Sequence, residues 1–272
     1  MQNDLKLIIG IATCEKHSER QDAVRNTWGK DPKDIAVLFL IGREGQKSEL
    51  NGDTLYLNCS DTYADLWEKT IAFLQYCERN FDYDYIYKCD DDTYVNISEI
   101  RNVPYNEHDY CGGPIHEYDE KLVKRSYELH SLPFTKEMDE TIKYTGSWVN
   151  GGGGYFLSRK AVRVILSQHK NCLKVKLPED VAVSYILKMN RIALSSLRGV
   201  GLARHDFCNK FWVNSKTPFI SAHPITPQDM VLIHNRRNPA VVLGRYLLPK
   251  IVNKIRREIG WPSGSPVDLK GG

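Results

Sequence analysis

The chain has 272 residues, with 37 Lys and Arg against 34 Asp and Glu, 42% hydrophobic and 10% aromatic residues. Those proportions exclude global disorder and a small disulfide-stapled scaffold, and at roughly 150 residues per domain the length suits one large α/β domain or two tightly packed halves. A net charge of +3 is too slight for a nucleic-acid binder, whose footprint is a strongly basic face, so whatever is bound is recognised locally.

No stretch of about eighteen apolar residues exists, and Met1 is followed by Gln2, Asn3 and Asp4, so neither a membrane span nor a signal peptide is read. Residues 5–13 form a nearly continuous apolar run, expected of a central strand buried on both faces of a mostly parallel sheet. Ser18 offers an N-cap, and Ala23, Val24 and Trp28 place an apolar stripe on a helix expected to end near Gly29. Residues 35–41 (IAVLFLI) and 54–59 (TLYLNC) read as two more strands. An Asp61-Thr62 cap opens a long helix with Tyr63, Leu66, Ile71, Leu74 and Cys77 near helical spacing, stopping at Asn80. Residues 83–89 alternate aromatic and polar types, as a strand does, and run directly into Asp90, Asp91 and Asp92.

The first 115 residues therefore alternate strand and helix, the pattern of a parallel sheet with helices on both faces, where ligands bind at the strand C-termini. Residues 116–144 are polar and weakly periodic and are expected to form a surface excursion or mobile loop. Helices are expected over 161–168 and 179–189, a short strand over 219–222, a capped helix start at 226–229 and a basic amphipathic tail helix over 244–259. The seven cysteines, at 14, 59, 77, 89, 111, 172 and 208, include no C-x-x-C pair, and their odd count points to a reducing compartment. Two Asn-x-Ser sequons, at Asn58 and Asn96, would matter only in a secretory lumen.

Three adjacent carboxylates at the end of a buried strand need a counter-cation. A hard divalent ion such as Mn²⁺ or Mg²⁺ would neutralise them and could bridge to a departing diphosphate; the alternative is a solvated acidic turn. Glu179 and Asp180 open an apolar helix after Pro178; alone they would serve as complements to the helix dipole, but beside a metal site they become candidate bases. Four glycines, 151–154, imply close approach or positive φ, and Trp148, Tyr155 and Phe156 around them argue against a loose linker. His223 precedes the capped helix start. Arg20, Arg25 and Lys69 lie on the first two helices, where they could face a diphosphate.

Taken in order, these pieces resemble the eukaryotic β1,3-glycosyltransferase family, which includes β1,3-galactosyltransferases, β1,3-N-acetylglucosaminyltransferases, core-1 synthase and the Fringe proteins. Residues 21–28 (QDAVRNTW) match the family's R-x-x-I-R-x-T-W block, and 61–70 (DTYADLWEKT) match D-x-Y-x-N-L-T-x-K-T. Residues 88–96 (KCDDDTYVN) match K-x-D-x-D-x-[FY]-V-N. Gly152, Gly153, Gly154, Tyr155 and Ser158 resemble G-x-G-Y-x-x-S; residues 178–181 carry E-D-V, and 223–230 the terminal histidine block.

The resemblance implies a GT-A fold in one catalytic domain spanning 1–272: a nucleotide-sugar-binding half over about 1–115, an acceptor-binding half over about 116–260 and a frayed tail over 261–272. It implies inverting transfer of a hexose (galactose, glucose or N-acetylglucosamine) from a UDP-sugar to a hydroxyl of a glycan or glycoprotein acceptor, in a β1,3 linkage. By the same analogy Asp92 and His223 hold Mn²⁺ (or Mg²⁺) and Asp180 is the base. Thr13, Arg20, Arg25, Lys69, Asp90 and Asp91 sit on the nucleotide side, Gly152 and Gly153 leave room for the donor sugar, and Trp148, Tyr155 and Glu179 face the acceptor.

Gln21 stands where the family carries an arginine, and Arg20 beside it is the candidate substitute. The expected setting is a cytoplasmic, soluble viral or microbial enzyme, with the Golgi or ER lumen as the alternative for an excised catalytic region. Two other readings compete: a metal-dependent phosphoryl or nucleotidyl transferase using the same acids, and a non-catalytic sugar-binding relative. The presence of Asp92, Asp180 and His223 together favours the glycosyltransferase.

Overall fold

The computed structural model describes residues 6–129, 133–172, 175–203 and 219–234. The chain opens with β1 (Leu7–Ala12), buried along its whole length, then α1 (Ser18–Arg25), β2 (Ala36–Gly42), β3 (Glu49–Asn51), β4 (Thr54–Leu57) and α2 (Leu66–Asn80). β5 (Tyr85–Asp90) ends in the acid triplet and is followed by β6 (Tyr94–Val95) and the short α3 (Ile97–Ile100). Next come β7 (Tyr110–Gly112), β8 (Ile115–Glu117), α4 (Glu120–Leu129), α5 (Lys136–Thr145) and β9 (Ser147–Val149). The described chain finishes with β10 (Tyr155–Ser158), α6 (Arg159–Cys172), α7 (Glu179–Met189), β11 (Ser195–Ser196), β12 (Leu202–Ala203), β13 (Ser221–His223) and α8 (Pro227–His234).

Among the described residues, eight strands make one sheet in the order β11-β7-β10-β5-β1-β2-β4-β3. The fold is α/β, with a mostly parallel sheet flanked by helices. β1 pairs in parallel with β5 and β2, in a register that sets Ala12 beside both Asp90 and Leu40. The C-terminal ends of these strands therefore align at one edge, where the acid triplet emerges.

Strand alternation sorts the core into two faces. Ile8, Leu38 and Ile86 pack with α2, α6 and α7, whereas Ile9, Phe39 and Tyr87 pack with α1 and α8. Each such fully buried side chain contributes roughly 1.5–3 kcal/mol. The first face also depends on Gly10, where a Cβ would lie 2.5 Å from the Phe73 ring of α2. By the same alternation Lys88 and Asp90 share the Ile86 face, the one that α7 covers.

Three expectations are corrected. Residues 116–144 are largely α4 and α5, each ten residues long, rather than a loop. Their apolar stripes are short pairs, Val123 with Tyr127 and Met138 with Ile142, all buried, too brief to register as a period in sequence. The Thr135 hydroxyl caps α5, accepting from the Met138 amide at 3.2 Å. Second, α1 stops at Arg25 rather than near Gly29; the buried Trp28 beyond it donates its Nε1 to the Thr93 carbonyl at 3.1 Å, fastening this segment to the turn after the triplet. Third, the short strand expected over 219–222 is Ser221–His223, so His223 is itself a strand residue.

The glycine run is followed by a buried strand that the sequence reading did not assign. β10 lies antiparallel between β5 and β7, so one sheet is continuous across both halves of the chain. The expected tail helix over 244–259 and the frayed end fall outside the described residues. Among the described residues, no helix is long and apolar enough to cross a membrane.

Candidate active site

β5 delivers three carboxylates to the sheet edge, and each meets a different environment. Asp91 is 2% exposed. One oxygen accepts the Thr13 hydroxyl at 2.7 Å and faces His17 Nδ1 at 2.7 Å, while the other accepts Arg20 Nη1 at 2.8 Å. Asp92 is half-buried, with Oδ1 3.0 Å from His223 Nδ1 and Oδ2 3.5 Å from Arg20 Nη1. Burial raises the Asp92 pKa, but the His223 hydrogen bond and the His223 and Arg20 charges outweigh it and hold the carboxyl below its ordinary range. Asp90 is partly open, with Oδ1 3.4 Å from Lys88 Nζ.

His223 reaches this edge through strand pairing. β13 runs antiparallel to β6, with Ser221 opposite Val95 and Ala222 opposite Tyr94, and the Ile225 amide donates to the Asp92 carbonyl at 2.7 Å. That register sets the imidazole beside Asp92 and Thr93.

The glycine run closes over the same point. The Gly152 carbonyl accepts from the Asp90 amide at 3.2 Å and the Thr93 hydroxyl at 2.7 Å. A Cβ on Gly152 would lie 2.6 Å from His223 Nε2 and 3.0 Å from Asp90 Oδ2. Gly154, at φ +105°, lies tight against the Tyr87 phenol, so this position needs glycine for both conformation and space.

Asp180 occupies the first turn of α7. Its Oδ2 accepts the Gly151 amide at 3.1 Å and its Oδ1 the Val181 amide at 2.9 Å. Burial in the cleft, reinforced by the neighbouring Glu179 charge, pushes its pKa up to about 6; the Gly151 hydrogen bond and the Lys88 charge offset part of this. A carboxyl in that range accepts and returns a proton near neutral pH. Asp90, Asp180, Gly151 and Gly152 line a single cleft, together with Lys88 and Glu179 and the aromatic and apolar Tyr63, Trp67, Tyr127, Met138 and Leu177.

Residues 19–198 match the family model described as galactosyltransferase. The chain belongs to the galactosyltransferase family. Hydroxyproline O-galactosyltransferase GALT2 of Arabidopsis thaliana is 25% identical over 202 residues, covering 65% of this chain and 28% of its own length. The β-1,3-N-acetylglucosaminyltransferase lunatic fringe of Mus musculus is 22% identical over 265 residues, covering 88% of this chain and 62% of its own. The chain spans 28% to 34% of the length of three plant hydroxyproline O-galactosyltransferases that it matches. Among solved structures, the galactosyltransferase LgtC with donor and acceptor sugar analogues aligns at 11% identity and a TM-score of 0.44, covering 82% of this chain and 88% of that one.

In this galactosyltransferase-family chain the cleft gathers Asp90, Gly152 and Asp180, with His223 against Gly152 and Asp92 beside His223. Other candidates lie elsewhere. Tyr155 cannot face an acceptor: its ring is fully buried in β10 and its hydroxyl donates to Glu179. Glu179 is likewise committed inside the protein, 3.1 Å from Lys88 Nζ and accepting the Thr70 hydroxyl at 3.2 Å. Asp91 is buried and taken up by three side-chain partners, and by accepting the Thr13 hydroxyl it commits that donor as well. Arg25 makes a two-pronged contact with Asp53, at 2.8 and 3.0 Å, and stacks on Phe39. Asp53 precedes β4, three strands from β5 and so about 14 Å across the sheet at the usual strand spacing.

Lys69 is buried, donating to the Thr13 carbonyl at 2.7 Å and to Asp61 Oδ1 at 2.6 Å, so it braces the β1 end. Gly153 is wedged against Gly201, where a Cβ would lie 2.7 Å from its Cα, and offers no space for a sugar. Trp148 is half-buried on β9 beside His116, with ring centroids 6.3 Å apart. Two residues that matter were given no role in the sequence reading. His17 is carried to Asp91 by the turn after β1, which no local pattern foretells; Lys88 was legible as a lone lysine inside an otherwise buried strand, a position that requires a partner.

Proposed function

We propose that this chain catalyses inverting transfer of a hexose from a UDP-sugar to a hydroxyl of a glycan or glycoprotein, forming a β1,3 linkage, within a single GT-A-type catalytic domain. The observation that carries this reading is the cleft shared by Asp180, a carboxyl with its pKa raised to about 6, and Asp90 at the end of β5. Asp180 takes the proton from the acceptor hydroxyl as that oxygen attacks the anomeric carbon from the face opposite the leaving diphosphate, which inverts the centre. The Gly151 and Val181 amides hold both carboxylate oxygens, so the base is oriented before substrate arrives.

The donor set at Asp92, His223 and Asp90 suits Mn²⁺ or Mg²⁺. Among the described residues no group of three or more His, Cys, Asp or Glu forms a ready cage. Such a pair with an adjacent carboxylate fits an ion that takes its remaining ligands from substrate phosphates. His223 Nε2 and Asp90 Oδ2 both face the small space that only glycine at 152 leaves open, while Asp92, 3.0 Å from the other ring nitrogen, orients the imidazole and would join the set by turning toward the ion. When bound there, the ion neutralises charge on the departing diphosphate. Arg20 keeps further guanidinium N–H groups for diphosphate oxygens. Relatives named as galactosyl- and N-acetylglucosaminyltransferases support a hexose donor.

The test is UDP release from UDP-galactose, UDP-glucose and UDP-N-acetylglucosamine, each with Mn²⁺ or with EDTA. Release from one donor that EDTA abolishes is expected. If no donor yields UDP and calorimetry detects no Mn²⁺-dependent UDP binding, the proposal is wrong.

A further inference from the structure

We infer that Lys88 and Glu179, which line the same cleft as Asp90 and Asp180, form a buried positioning pair that holds Asp180 in register with Asp90, an inference resting on the reading of Asp180 as the base. Lys88 is 1% exposed, and the Glu179 side chain 2%. Lys88 Nζ links β5 to α7, 3.1 Å from Glu179 Oε2 and 3.4 Å from Asp90 Oδ1. The other Glu179 oxygen accepts the Thr70 hydroxyl at 3.2 Å and the Tyr155 hydroxyl. Three elements, β5, α2 and β10, thus converge on the first residue of α7, directly before Asp180.

This convergence does what a helix cap ordinarily does. The residue before α7 is Pro178, which makes no side-chain cap hydrogen bond, so the first turn lacks the usual N-cap side chain. The Glu179 ties anchor that turn from across the sheet, beside the Gly151 and Val181 amides that hold Asp180 itself. Strand alternation makes the arrangement possible, because Lys88 and Asp90 project to the face that α7 covers.

Stability alone is a poor reason for such a pair. Two charges withdrawn from water lose much of their Coulomb gain to desolvation, and apolar or neutral replacements of similar shape are often tolerated, whereas removing one partner strands the other. What neutral replacements lack is a fixed cation beside two adjacent carboxylates. Lys88 opposes the effect of the Glu179 charge on Asp180 and meets Asp90 through the same ammonium.

Lys88→Met, Glu179→Gln, the double variant and Asp180→Asn are to be compared in three measurements: melting temperature, Mn²⁺-dependent UDP binding by calorimetry, and UDP release from UDP-galactose with Mn²⁺. Each single variant of the pair strands a charge and is expected to lose both melting temperature and turnover. The double variant, with neither charge of the pair, is expected to regain the melting temperature and bind UDP normally, yet to stay roughly 10- to 100-fold down in kcat. A double variant within about twofold of wild-type kcat would overturn the inference, because the pair would then be packing only. Should the double variant not fold, Tyr155→Phe removes one Glu179 tie without altering charge; a severalfold fall in kcat at constant KM supports the positioning role, and unchanged kcat overturns it. Undiminished turnover in Asp180→Asn would instead remove the base assignment, a separate failure.

Discussion

Asp91 and Asp180 are both acids at the same edge of the sheet, yet they are held in opposite ways. Asp91 is surrounded by side-chain donors, Thr13, His17 and Arg20, which satisfy its charge and fasten the start of α1 to the end of β5. Asp180 has only two backbone amides and a like-charged neighbour, and its proton affinity rises accordingly. A carboxylate saturated with partners is a fastening, whereas one left short of them in a cleft retains the capacity for chemistry.

The sharpest way to break this contrast is to exchange the consequences of losing each acid. Asp180→Asn keeps the shape and is expected to lower kcat by roughly 10²- to 10⁴-fold while leaving Mn²⁺ and UDP binding in place; steady-state kinetics beside calorimetry would read both. His223→Ala should cost roughly 10- to 100-fold in Mn²⁺ affinity, on the scale of lost metal-site partners, seen as a shifted Mn²⁺ activation curve. Asp91→Ala acts on the other side of the contrast. It strands the buried Thr13 hydroxyl and is expected to lower unfolding stability by about 1–3 kcal/mol, with the solvent-facing Arg20 and His17 adding little; urea denaturation measures this.

The pH profile sharpens the comparison further. Asp180 works as a base only when ionised, and its pKa lies at about 6, so kcat/KM should fall as pH drops through that value. Glu179 contributes to the upward shift, and Glu179→Gln should therefore move this limb to lower pH; a limb that stays in place would contradict the coupling. The smallest effect is expected from Arg25→Ala. UDP affinity should change less than twofold, and stability by no more than about 1 kcal/mol for a partly exposed ion pair.

Much of the framework was legible because burial writes itself into local pattern. The runs that became β1 and β2 are continuous and apolar, the run that became β5 alternates aromatic and polar residues, and the stripe on α2 and the start of α7 after Pro178 follow helix rules. The inequality of the three acids was not legible, because Asp91 is claimed by partners 71 to 78 residues away in the chain and Asp92 by His223, farther still. Tyr155 was misassigned for a related reason: beside four glycines an aromatic ring reads as a binding platform, while β10 inserts it between β5 and β7. Residues 116–144 were misjudged because two ten-residue helices with one buried pair each leave too little periodicity to detect.

Gly152 carries a consequence for reading other chains with this acid triplet. A single methyl there would press on the His223 ring at 2.6 Å and crowd the Asp90 carboxylate at 3.0 Å, spoiling the site while leaving every charge in its place. An inventory of acids and histidines would pass such a chain as competent. The hydrogen atom on Gly152 is as much a credential of a working site as the carboxylates around it.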